Sequence, residues 1–176
     1  MIDIEQAAKF AEEDVLAVQT WVSTEYSKHF AEYFEDIHHL SSVMASNVTP
    51  ITDDELESIL VDLPLKLFSA AEQINRVTLN LEVMKLKNKK AVTEKIQKSK
   101  ESTASMRKDV AESEIFEDRI LEMAYSCLLD RVQREVAYAR ELIMGAKKVW
   151  DSRKRSEAVN PVSEVESTSE KVPIYT

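Results

Sequence analysis

The chain has 176 residues, 44% hydrophobic and 31% charged, with a formal net charge of −9, one glycine and one cysteine. A single glycine excludes P-loops, dinucleotide-binding turns and serine-nucleophile elbows, which need glycine where backbone takes positive φ or closely approaches a ligand. A single cysteine excludes an internal disulfide and suits a reducing compartment. No apolar run of about 18 residues is present to span a membrane, and Met1-Ile2-Asp3-Ile4-Glu5 lacks the basic start of a signal peptide, so a cytoplasmic location is expected.

Residues 1–48 read as one long acidic amphipathic helix. Ile4, Ala8, Ala11, Val15, Val18, Val22, Tyr26, Phe30, Tyr33, Ile37, Leu40 and Met44 recur in steps of three and four, which places them on one stripe. Val48-Thr49-Pro50 ends it. Residues 1–60 carry 13 acids against two lysines. His29, His38 and His39 lie on this helix, with Glu35 and Asp36 three residues before the last two. A metal site of the carboxylate-bundle kind needs such pairs on two helices, so these read as surface histidines and no metal is expected.

Residues 49–155 read as a helical core. Thr52 and Glu55 have capping-box spacing. A second stripe follows: Leu56, Ile59, Leu63, Leu67, Ala70, Ile74, Val77, Leu81 and Met84. Pro64 removes a donor and crowds the preceding turn, which predicts a break or kink near Asp62 and Leu63. From Lys87 to Ser105 apolar residues thin out, as in a solvated helix tip or a mobile connection. A third stripe runs through Val110, Phe116, Ile120, Met123, Cys127, Leu128, Val132, Val136, Ala139, Ile143, Ala146 and Trp150, with Cys127 expected in the core. Gly145 lies inside this pattern, which predicts a close helix–helix approach or a local kink. Residues 156–176, rich in Ser, Glu, Val and Pro, read as a disordered tail. The expected fold is all-α: three long helices in a helical hairpin or bundle, homo-oligomeric, with a disordered C-terminal tail.

Charge singles out residues 85–108. They carry nine basic residues (Lys85, Lys87, Lys89, Lys90, Lys95, Lys98, Lys100, Arg107 and Lys108) and two acids, Glu94 and Glu101. One reading is an exposed lysine-rich segment that keeps a helix end soluble. The other is a polyanion contact, in which lysines neutralise phosphates and release counterions. No aromatic lies between Phe68 and Phe116, so no ring is available for base stacking and any binding is expected to ignore sequence. A membrane-surface role is disfavoured, since no bulky apolar face is expected beside the lysines. Arg140, Lys147 and Lys154 recur every seventh residue, with Lys148 and Trp150 close by. They complement the helix dipole, or add a second nucleic-acid contact with a stacking ring. No catalytic constellation stands out, and neither an enzyme nor a cofactor is expected.

Three stretches carry a resemblance. They are Asp62-Leu63-Pro64-Leu65-Lys66-Leu67, the basic segment with Val92-Thr93-Glu94-Lys95, and Tyr138-Ala139-Arg140-Glu141-Leu142-Ile143-Met144-Gly145-Ala146-Lys147-Lys148-Val149-Trp150. Their order and spacing resemble phage UvsY-like recombination mediators over roughly residues 60–155. That resemblance implies a small helical ring-forming protein that binds single-stranded DNA. It also implies a role in loading a RecA-like recombinase onto strands coated by single-strand-binding protein, in the host cytoplasm. DNA binding would then fall on residues 85–108. Assembly would fall on the last helix, through Phe116, Ile120, Met123, Leu128, Val132, Val136, Ile143 and Trp150. The long acidic helix and the tail depart from the compact family pattern; the helix is a candidate contact for the recombinase. The competing class is a structural or adaptor protein, such as a helical virion component, whose basic segment docks on acidic partners.

Overall fold

The computed structural model describes residues 4–45 and 50–159, and every regular element among them is helical. The elements are α1 (Ile4–His29), α2 (Ala31–Phe34), α3 (Ile37–Ala45), α4 (Asp53–Glu57), a π-helical turn (Ser58–Asp62), α5 (Leu63–Lys98), α6 (Ala104–Ser113) and α7 (Phe116–Val159). No helix among the described residues is long and apolar enough to cross a membrane.

The first acidic segment is not one helix. Phe30 leaves helical geometry at φ −130° and ψ −22°, and a second interruption falls at Glu35 and Asp36. Phe30, Phe34 and Ile37 flank these interruptions on one face, and all three are almost fully buried. Val15, expected on the buried stripe, is half exposed. The side chains of Ile4, Ala8 and Ala11, and residues Val48 and Thr49, lie outside the described residues.

The second stripe folds as its periodicity predicts. Thr52 caps α4: its Oγ1 accepts from the Glu55 amide, and the Glu55 carboxylate accepts from the Thr52 amide at 2.7 Å. The chain then stays helical through Pro64 by widening one turn. The Leu63 amide donates to the Ser58 carbonyl, five residues back. Pro64 has no N–H to give, and the wide π turn just before it accommodates that loss without ending the helix. Leu56, Ile59, Leu63, Ala70 and Leu81 are buried.

The long helices run up, down and up. Trp21 stacks near Tyr125 and Ser41 bonds to Tyr138, so α1 to α3 ascend beside α7. Asn88 reaches Glu122 on α7 and Lys95 reaches Glu114 just before it, so α5 descends and α6 turns the chain back. Helix α7 packs against both α1 and α5. It presents Ala124, Ala139 and Ala146 to the core beside Leu128, Val132 and Leu142. Phe30, Phe34, Ile37 and Leu56 from the other helices are buried in the same cluster. Burying each such large side chain contributes roughly 1.5–3 kcal/mol. Arg153 ties the far end of α7 to Asp53 and the Ile51 carbonyl.

Three expectations about α7 change. Cys127 is exposed rather than in the core, because Ala124 and Leu128 take the inward positions on either side of it. Leu128 and Val132 are buried within the chain and so present no surface for assembly. The helix also continues to Val159, so residues 156–159 are helical; residues 160–176, the rest of the expected tail, lie outside the described residues.

Candidate nucleic-acid interface

The basic segment is mostly ordered helix. Lys85, Lys87, Lys89, Lys90, Lys95 and Lys98 sit on the last turns of α5, Lys100 on the connection, and Arg107 and Lys108 on α6. Thr103 starts α6 by accepting from the Met106 amide at 3.2 Å. A cleft of about 530 Å³ opens where α5 meets α6, lined by Lys95, Lys98 and Lys100 but also by Glu94, Glu101 and Glu114.

Acids close in on these lysines, three from a turn away on the same helix and one, Glu114, from across the α5–α6 connection. Lys95 pairs with Glu114, Lys108 with Glu112, Lys90 with Glu94 and Lys85 with Glu82. The Glu82 carboxylate holds the Lys85 ammonium above its ordinary pKa, chiefly through their hydrogen bond. Residues 109–122 bring six acids and one arginine to the same end of the molecule. Among the described residues Lys87, Lys89, Lys98 and Lys100 make no ion pair, and all four are exposed. These four are the exposed, unpaired positive charges among the described residues of the segment. Arg107 is half-buried, and its Nε has no hydrogen-bond partner.

The second basic cluster is remote from the first. Asn88 lies against Asp118 and Glu122 at the start of α7, whereas Lys147 is about 29 residues past Asp118 on that helix, about 40 Å along its axis at 1.5 Å per residue. Arg140, Lys147, Lys148 and Lys154 are exposed there. The Lys154 ammonium lies 5.0 Å from the Trp150 ring centroid, so it competes with a base for that face. A single chain therefore does not merge the two clusters into one surface.

Of the residues expected to mediate assembly, Phe116 (55%), Met123 (46%) and Trp150 (37%) are exposed, while Ile120, Val136 and Ile143 are half-buried against the core. Sequence periodicity missed a second apolar face. Leu65, Phe68, Leu79, Val83 and Leu86 line the outer side of α5, and Leu79, Val83 and Leu86 lead into the basic segment. An apolar face therefore does accompany the lysines, contrary to expectation. Its signal was present as two short sets of three- and four-residue steps, Leu65 to Phe68 and Leu79 to Val83 to Leu86, separated by Glu72, Asn75 and Arg76. The histidines stay apart: His29 meets Glu25 at 3.4 Å, and His38 lies beside the Tyr138 ring.

Comparison of the chain with known protein families, with characterised proteins and with solved structures finds no match.

Proposed function

We propose that this chain is a self-assembling, non-enzymatic protein that binds single-stranded DNA through the exposed lysines at the α5–α6 end. Its role would be that of a recombination mediator of the UvsY-like kind, with a RecA-like recombinase and a single-strand-binding protein as partners. The observation that carries the DNA-binding part is the set Lys87, Lys89, Lys98 and Lys100, exposed and without ion pairs. A mobile phosphate backbone can meet such charges without first breaking an internal bridge. The resemblance at residues 60–155 supports the recombination role. With no free ring nearby, contact would be to phosphates and indifferent to base sequence.

A second reading is favoured by the acids that interleave the segment. Glu82, Glu94, Glu112 and Glu114 each hold a lysine, which weakens the field felt by a polyanion and suits an adaptor docking on a protein surface. Titration of a fluorescent single-stranded oligonucleotide separates the two. Four neutralised phosphates give a slope of about −3 for log K against log salt. Changing Lys87, Lys89, Lys98 and Lys100 together to Glu should abolish binding while the far-UV spectrum stays helical. No binding at low salt, or binding indifferent to these four changes, would favour the adaptor.

A further inference from the structure

A shallow groove of about 350 Å³ lies between α3 and α7, lined by His38, Arg131, Arg134, Glu135 and Tyr138. At about 100° per residue, the four α7 side chains leave the helix within about 100° of one another, on its α3 flank. Two of the five are held in place. Tyr138 is 38% exposed, yet its hydroxyl bonds to Ser41 and its ring lies 6.1 Å, centroid to centroid, from the His38 imidazole. The half-buried Arg131 rests its guanidinium carbon 3.8 Å from the Tyr26 ring centroid. A guanidinium stacked on a ring keeps the N–H groups at its edge for another partner.

The charges of this groove are unspent. Elsewhere this acidic chain meets cations with carboxylates across its helices: Lys66 with Asp36, Lys95 with Glu114 and Arg153 with Asp53. Among the described residues Arg131 and Arg134 make no ion pair, not even with Glu135, the one carboxylate lining the groove. Two guanidiniums three residues apart on one helix flank converge on a single anion, and their planar forks match phosphate oxygens. A fixed, partly exposed ring beside them offers a surface for a flat, unsaturated group. An anion joined to a flat base is the chemistry of a nucleotide. The volume also falls in the range of small-molecule sites, about 300–1,000 Å³.

We propose that the α3–α7 groove binds a nucleoside phosphate, with the phosphate on Arg131 and Arg134 and the base against Tyr138. A free mononucleotide and a nucleotide within a single strand present the same chemistry. The site is separate from the lysines of α5 and α6. Tyr138 lies about 16 residues past Glu122, which Asn88 touches, or about 24 Å along α7 at 1.5 Å per residue. It also faces α3 rather than α5. The groove therefore stands or falls independently of the DNA contact proposed above. Glu135 opposes the phosphate and limits its affinity, which gives the site a signature of opposite sign at neighbouring residues.

The test titrates the full chain calorimetrically with dAMP, with inorganic phosphate and with a single-stranded oligonucleotide. Stacking of the base should make dAMP bind about tenfold tighter than inorganic phosphate. Arg134→Gln, at an exposed position, should weaken binding about tenfold and leave the helical content intact. Glu135→Gln should tighten it about fivefold by removing the negative charge that faces the phosphate. Changing Lys87, Lys89, Lys98 and Lys100 to Glu should leave dAMP binding unaltered. A response to Arg134→Gln in the dAMP arm alone identifies a free nucleotide as the ligand; a response in the oligonucleotide arm identifies a strand; either supports the site. Inorganic phosphate bound as tightly as dAMP would overturn it, as would affinities indifferent to both Arg134→Gln and Glu135→Gln. Oligonucleotide binding lost only with the four lysines, and no dAMP binding, would overturn this site and leave the DNA contact standing. Binding of dAMP without binding of the oligonucleotide would do the reverse.

Discussion

Asn88, buried in α5, donates its side-chain amide to the Glu122 carboxylate of α7 at 2.7 Å and to the Asp118 carbonyl at 3.3 Å. It is the polar anchor of the α5–α7 pair at the basic end, where few apolar groups are buried. Hydrogen bonds to charged groups contribute roughly 1.5–3 kcal/mol. Asn88→Ala should therefore lower unfolding stability by about 1–3 kcal/mol in a urea titration. Asn88→Asp should cost more at neutral pH, by setting two carboxylates together, and recover part of the loss in acid.

Gly145 should prove replaceable. Its φ is not positive, and a Cβ there would meet only the Met44 terminal methyl, at 3.2 Å. That methyl ends a flexible side chain and can move by a few tenths of an ångström. Alanine gains about 1 kcal/mol in helix propensity over glycine. A thermal melt of Gly145→Ala should show equal or higher stability, whereas Gly145→Leu should be destabilised by overpacking against α3.

The Thr52 cap makes a pH-dependent contribution. Hydrogen bonds from the Thr52 backbone and then its hydroxyl hold the Glu55 carboxyl below its ordinary pKa of 4.5. A carboxylate with a lowered folded pKa stabilises fully above the ordinary value, and that contribution is lost as the pH falls through the lowered one. Thr52→Ala should cost about 1 kcal/mol at neutral pH. Its stability curve below pH 4.5 should be somewhat flatter than that of the unaltered protein, because the hydroxyl's share of the lowering is lost while the backbone amide at position 52 still holds the Glu55 carboxylate.

Tyr26 and Arg131 form the matching contact at the α1–α7 seam, with the guanidinium carbon 3.8 Å from the ring centroid. Losing this cation–π contact in Arg131→Ala should cost about 0.5–2 kcal/mol. Burial, and after it Glu135, raise the Tyr26 pKa above 10.0, while Arg131 pulls it down. The unfolded chain therefore loses this proton first, so stability declines as the pH rises from 10.0 through the raised folded value. Removing Arg131 should push Tyr26 ionisation still higher in an alkaline absorbance titration.

The helical class, the capping box at Thr52 and Glu55, and the inward face of α5 were legible from residue order, because each depends on groups within a few positions of one another. Leu56, Ile59, Leu63, Ala70 and Leu81 bury on the expected stripe for that reason. The disturbance at Pro64 was legible too, although its form, a widened turn, depends on where the freed carbonyls find room.

Packing between helices decided the rest. Whether Cys127 or Leu128 faces inward depends on where α1 and α5 press on α7, and their three- and four-residue steps are equally compatible with either. The breaks at Phe30 and at Glu35 and Asp36 leave no mark in the three- and four-residue steps, which run through them unchanged. The basic segment is the sharpest case. Residues 85–108 alone promise a strong positive patch, but Glu114 sits against Lys95 only because α6 folds the chain back. Periodicity and the one-turn pairs of Lys85, Lys90 and Lys108 are local properties that residue order determined; the pairing of Lys95 with Glu114 crosses helices, depends on distance in space, and only the tertiary structure decided it.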